Sequence, residues 1–407
     1  MQRSCACAAI IVLIVGLSIL AGEEKRLPGS RDLRQAARQE FAKMMTQPPG
    51  GGEKPQFDRM ARILDVLDRE GIALAEIISG EDSQMIAARQ GFNRVFAAAR
   101  KTAADQAAAV PERAAAVRLL GRGPDRRNED LKLLASLLIP QTPLRVQLAA
   151  VEAINRLPYE GTTEILLSGW TSHGPKVHTA VVSALLWRDP WMGALDRASE
   201  SRPELAAALE WARRDISLRH PSVEIRSRAE KLRNVPPDKP EVRRALDAFM
   251  PVVKMQGDRS RGKKMFIEAT CANCHKLEDV GRHVGPDLGS LADKSRRTLL
   301  VDTIAPNRVV DHRFLEYTLV TVNGKQLSGM LFDESDDSIT IADANGESVV
   351  ILRRDLDEMG CNHRSSMPEG LDAKLDLQQM ADLIEFIANS SIVRDGQSPK
   401  ADDSVPR

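Results

Sequence analysis

Cys271-Ala272-Asn273-Cys274-His275 is followed, ten residues beyond His275, by Gly285-Pro286-Asp287-Leu288, and how these two segments are read decides the rest of the chain. Two thiols three positions apart with an imidazole next in line have the spacing of c-type haem attachment. The thiols can add to the two vinyl groups of one porphyrin while the imidazole is held beside the iron. Two other chemistries use a similar pair. A disulfide redox couple wants a preceding strand within a thioredoxin-like βαβ unit, and neither pattern surrounds the motif. A structural zinc site could draw on Cys361 and His363 to complete a Cys₃His set with Cys271 and Cys274, although it has no need of the adjacent His275. Haem is the preferred reading. It makes Cys271, Cys274 and His275 cofactor-binding residues.

Working outward, the rigid turn at Pro286 is placed to offer a backbone carbonyl to the free ring nitrogen of His275, which fixes the tautomer of a ligating imidazole. Further on lies Ser365-Ser366-Met367-Pro368-Glu369-Gly370. Met367 stands outside any apolar stripe, and a thioether is a soft neutral ligand suited to the distal side of haem iron. His275 and Met367 are therefore the expected metal ligands, with His363, His283 and His312 as rivals for the distal place. Cys361 reads either as a small buried hydrophobe or as a thiol close to the cofactor. Arg259, Arg261, Lys263, Lys264 and Lys276 flank the motif. They form either a basic rim that steers an acidic redox partner or an ordinary solvated helix face.

The segment holding these motifs spans 241–392. Asp258 caps a helix through Arg259–Thr270 that delivers the chain to Cys271, with Gly262, Phe266 and Ala269 on one face. Leu377, Met380, Leu383, Ile384 and Ile387 recur at helical spacing, with Phe386 beside the stripe. Between them, short β-branched runs at 317–322, 327–332, 338–341 and 348–352 are separated by Asn323-Gly324, Asp336-Asp337 and Asn345-Gly346. The pattern predicts a four-stranded antiparallel insert at about 314–355.

Upstream, 56–235 reads as short helices with a weak internal repeat. Ala116-Val117, Ala150-Val151 and Val181-Val182 occupy equivalent places, each following a proline (Pro111, Pro143, Pro175) and preceding an arginine (Arg122, Arg156, Arg188). Periods of this size belong to helical solenoids, and a degenerate HEAT-like array is the expected architecture, with an irregular helical bundle as the alternative. The fold class expected is mainly α: a HEAT-like solenoid, then a haem domain with a small β insert. Residues 23–55 form a linker ending in Pro48-Pro49-Gly50-Gly51-Gly52, and 393–407 a disordered tail.

Residues 1–22 read as an export signal, with Arg3 before an apolar stretch from Ala8 to Leu20 and small residues at Ala21-Gly22. The same stretch, left uncleaved, is a membrane tether through residues 8–22. Either outcome puts the bulk of the chain in the periplasm or otherwise outside the cytoplasm. Lys plus Arg and Asp plus Glu both number 57 in 407 residues, a balance that gives no support to nucleic-acid binding. Two of five cysteines lie in the signal, and the odd one remaining beside the motif pair argues against a pure disulfide framework.

Gly262 and Phe266 on a helix, then the CANCH motif, Gly285-Pro286 with Leu288, Asn323-Gly324, Ser366-Met367-Pro368, and Leu383 on a closing helix together resemble a class I cytochrome c. More closely, they resemble the planctomycete-type haem-binding domain family. The likeness covers roughly 241–392. It implies thioether attachment of a single haem c at Cys271 and Cys274, with His275 proximal and Met367 distal. Because His/Met ligation would saturate the iron, the expected function is one-electron transfer with a periplasmic redox protein or dehydrogenase rather than enzymatic turnover. No catalytic residue is expected. A peroxidase-like enzyme or sensor with a displaceable Met367, and an interaction scaffold with a non-functional haem, are the alternatives.

Overall fold

The computed structural model describes residues 57–202 with gaps at 73, 80–82, 124, 158–160 and 187–188, then 205–206, 223–224, 226–227 and 239–390 without 344–346, and residue 39. The expected signal at 1–22, the linker apart from residue 39, the Asn345-Gly346 turn and the tail lie outside the described residues. Contacts divide the chain into two compact units, Met1–Gly169 and Trp170–Arg407. The structure is mainly helical with one antiparallel sheet.

The first unit is helical: α1 Phe57–Arg69, α2 Leu74–Ile78, α3 Ser83–Ala104, α4 Val110–Val117, α5 Arg127–Ser136, α6 Leu144–Arg156 and α7 Thr162–Ser168. Prolines start two of them as expected, Pro111 in the first turn of α4 and Pro143 at the cap of α6. Ala116, Val117, Ala150 and Val151 are all buried, so the repeated pair marks the inward face of each helix. The arginine after each of these two pairs also has a place, whereas Arg188 lies outside the described residues. Arg122 lies 2.7 Å from Asp65 and 2.6 Å from Asp68 on α1, and Arg156 approaches Asp65 at 3.8 Å. Asp130, fully buried, accepts from the Gly121 N–H and pairs with Arg100.

The second unit begins with a short 3₁₀ turn at Trp170–Ser172, α8 Pro175–Leu186 and α9 Asp189–Ser201. After α10 Pro240–Phe249 comes α11 Arg259–Glu268, capped by Asp258, whose carboxylate accepts from Arg261 N. Next are α12 Arg296–Ile304 and, closing the unit, α13 Leu377–Ala388, which starts with a capping box between Asp376 and Gln379. α11 and α13 pack closely. A Cβ on Gly262 would sit 2.0 Å from Asp382 O, so only glycine permits this crossing. Phe266 meets Phe386 edge-on at 5.7 Å, a contact worth about 0.5–1.5 kcal/mol beyond the area it buries. Phe386 is fully buried whereas Leu377 is 38% exposed, so the inward face is rotated from the predicted stripe toward Phe386.

The sheet corrects the expected insert. It has five strands, not four: β1 Leu315–Thr321, β2 Gln326–Glu334, β3 Ser338–Ala342, β4 Ser348–Leu352 and β5 Leu356–Ser365, in the order β4-β3-β2-β1-β5. The first four form the expected meander, with Gly324 at φ +79° in the first turn. β5 then crosses to the far side of β1, pairing Tyr317 with Cys361 and Leu315 with Ser365. One face carries a core of Leu315, Tyr317, Leu319, Leu331, Ile341 and Cys361 with their neighbours.

Candidate functional site

α11 ends at Glu268 and leads into Thr270, which holds a left-handed φ of +66° before the 3₁₀ turn Cys271–Asn273. For a β-branched residue that conformation is costly, and it turns the chain sharply into the motif. His275 N donates to Cys271 O at 2.9 Å, closing the CANCH turn. The chain then folds back on itself. Cys274 O accepts from both Val284 N and Gly285 N, at 2.9 and 2.7 Å, and Leu288 N reaches Lys276 O. Two glycines make this return possible. A Cβ on Gly281 would lie 2.0 Å from His275 O, and one on Gly285 would lie 2.9 Å from His275 Cε1.

The return loop brings Pro286 O to within 2.9 Å of His275 Nδ1. A carbonyl can only accept, so the ring carries its proton on Nδ1 and keeps a lone pair on Nε2. Burial lowers the pKa of this imidazole, against the Pro286 bond that raises it, and the neutral ring is the ligating form. Burial also pushes the Cys271 thiol up to about 11 and raises that of Cys274. Both sulfurs are free thiols. A redox-active pair wants an acidic nucleophilic thiolate, and these two are held in the opposite sense.

Cys271, Cys274, His275 and Pro286 line a cleft of about 590 Å³, and Met367 lines it too. That volume is ordinary for a cofactor site. The walls come from the motif loop, the chain around α12, the segment entering the sheet at Asp311–Phe314, and the Met367 loop. Met367 follows directly from β5, so the strand that sequence reasoning missed is the one that delivers this residue. Its loop is tied down at several points. Met367 N donates to Ser365 Oγ, Ser366 N donates to Phe314 O, and Asn307 binds both Ser365 N and the Glu369 carboxylate. Ser366 Oγ, buried in the cleft wall, has no hydrogen-bond partner among the described residues and leaves a hydroxyl for an occupant.

His283 and His363 do not line the cleft, and the side chain of His312 lies outside the described residues. Cys361 is a packing residue of the sheet core. Its thiol is pushed up to about 11 by burial and accepts from His363 N. The Cys₃His zinc set is not assembled: among the described residues no group of three or more His, Cys, Asp or Glu side chains could hold a metal ion. The basic rim is also not what lines the cleft. Arg259 pairs with Glu278, Arg261 with Asp382 and Lys263 with Asp279, whereas the cleft wall carries Asp287, Asp293, Asp302 and Asp311 with Arg313.

The donor set is thus two thiols, a neutral imidazole and a thioether around one cleft. It suits a planar apolar cofactor with a soft metal centre better than a hydrated divalent ion. Sequence reasoning missed Asn307, Ser366 as a cleft donor, and Met330, a cleft-lining residue on β2. No protein-family model matches the chain, and no curated protein does.

Proposed function

We propose that the chain is an exported monohaem c-type cytochrome that transfers single electrons between periplasmic redox partners. The observation that carries this reading is the convergence of Cys271, Cys274, His275 and Met367 on one cleft. Their order along the chain, with Pro286 bonded to His275, is the order of the family the sequence resembles. Cys271 and Cys274 would carry the two thioether links, His275 would bind through Nε2, and Met367 would supply a thioether ligand. Bound there, haem c supplies a reversible one-electron iron couple, and His/Met ligation raises its potential.

The residues of the chain do the rest. Pro286 holds the proton of His275 on Nδ1, and Gly285 admits the loop close enough to do so. With Met367 bound as well as His275, the iron would have no open position, which favours a carrier over an open catalytic site. A HEAT-like array, as read from the sequence, would offer a surface for a partner protein. The unequal charge around the cleft, acidic in its wall, favours a partner with a basic docking face.

The test is a haem stain after denaturing electrophoresis, with a reduced-minus-oxidised spectrum, on the wild type and on His275→Ala. Covalent haem in the wild type with a c-type difference spectrum, altered in His275→Ala, supports the reading. Colourless wild-type protein, or protein loaded with zinc, ends it.

A further inference from the structure

We propose that Met330 is a second thioether donor for the distal side of the iron, taking that place when Met367 leaves it. The inference rests on the haem reading above and adds a residue that no motif singled out. Met330 is 6% exposed and lines the same cleft as Met367. It sits on β2, the central strand of the sheet, opposite Glu316 on β1 and Ala342 on β3. Its neighbour Leu331 belongs to the sheet core. Alternation along a strand therefore puts Met330 on the other face, toward the cleft. The strand is pinned beside it, because a Cβ on Gly329 would lie 2.2 Å from Ala342 O.

The two sulfurs arrive on different supports. Met367 is on a loop held by a few hydrogen bonds, and Met330 is on a strand paired on both sides. A loop-borne ligand can swing away while a strand-borne side chain stays, and the unbranched thioether of Met330 has three rotatable bonds with which to reach. Exchange of one thioether for another would keep the iron six-coordinate with a soft neutral donor. The cleft would then stay closed to small ligands even with the Met367 loop displaced. Packing alone is the competing role for a buried methionine, and it predicts no spectral consequence.

The experiment uses the full-length haem-loaded protein and the variants Met330→Leu, Met367→Leu and the double variant. Leucine keeps the volume, so folding is preserved. The readouts are the thioether-to-iron charge-transfer band of the ferric protein and carbon monoxide binding to the ferrous protein. Expected is a band retained in each single variant and lost in the double variant, which alone binds carbon monoxide rapidly. A Met367→Leu protein as bandless and as open to carbon monoxide as the double variant overturns the proposal. A band that survives in the double variant overturns it as well, by placing the donor elsewhere. A wild type without haem fails the parent reading instead, and the two failures are thereby distinguished.

Discussion

The side-chain amide of Asn307 uses both of its ends on the Met367 loop, accepting from Ser365 N at 2.7 Å and donating to Glu369 Oε1 at 2.6 Å. Asn307→Ala removes both bonds and leaves a half-buried backbone donor without its partner, at a cost of about 1–3 kcal/mol. Urea denaturation should show that loss, and amide exchange should quicken at 365–369. Exchange unchanged there would mean the loop is held by other contacts. Thr270 makes a prediction of the opposite sign. Its φ of +66° suits glycine, and a side chain in the left-handed region costs roughly 1–2 kcal/mol. Thr270→Gly should therefore unfold at higher urea by an amount equivalent to about 1 kcal/mol. A less stable variant would mean that the Thr270 hydroxyl bond to Ala269 O outweighs the backbone strain. The site was legible where its chemistry is local. Cys271, Cys274, His275, Pro286 and Met367 declare themselves by spacing and residue type. Asn307 and Met330 do not, because an amide and a thioether are common everywhere and only the folded chain brings them to the cleft.

At the scale of elements, the link between the 3₁₀ turn Trp170–Ser172 and α8 carries a buried imidazole with no hydrogen-bond partner among the described residues for either ring nitrogen. This is His173, 1% exposed, and burial pushes its pKa down from 6.5 to about 4. Above pH 6.5 the ring is neutral in both folded and unfolded chains, and the contribution of this group to stability is at its full value. As pH falls through 6.5 the unfolded chain takes up a proton that the folded chain refuses, so stability declines from there toward pH 4. At about 1.4 kcal/mol per unit the penalty approaches roughly 3 kcal/mol at the lower end. His173→Leu should flatten this part of the stability profile relative to the wild type. Parallel profiles for the two proteins between pH 4 and 6.5 would show that His173 is not buried as a neutral ring. The sheet nearby shows why elements are unequally legible. β1 to β4 announce themselves through β-branched runs and an Asn-Gly turn. β5, Leu356-Asp-Glu-Met-Gly-Cys-Asn-His-Arg-Ser365, is poor in strand formers, and its pairing with β1 is fixed by long-range register instead.

For the molecule as a whole, the spacing of repeated valines groups Val181-Val182 with Val117 and Val151, because spacing does not record what a helix packs against. The second unit nevertheless begins at Trp170, and its first elements are bonded to the sheet. Tyr317, fully buried on β1, donates to His173 O at 3.1 Å or to His178 Nδ1 at 3.3 Å. Glu334 accepts from Lys176 N at the start of α8, its backbone oxygen accepts from Lys176 Nζ at 2.6 Å, and its carboxylate pairs with buried Arg353. A Cβ on Gly174 would lie 2.1 Å from the Glu334 carboxylate, so a larger residue there would displace that side chain from Lys176 N. A chain starting at residue 241 keeps every cleft residue but strips α8 from the sheet, exposing the Tyr317 side of its core and removing the N–H groups that hold Glu334. A chain starting at residue 170 keeps all of these contacts. The longer fragment should unfold cooperatively, whereas the shorter should melt about 10 °C lower, the shift expected for a loss of several kcal/mol in a chain of this size. Equal melting temperatures for the two fragments would mean that α8 is an attachment to the sheet and not part of the unit that holds the cleft.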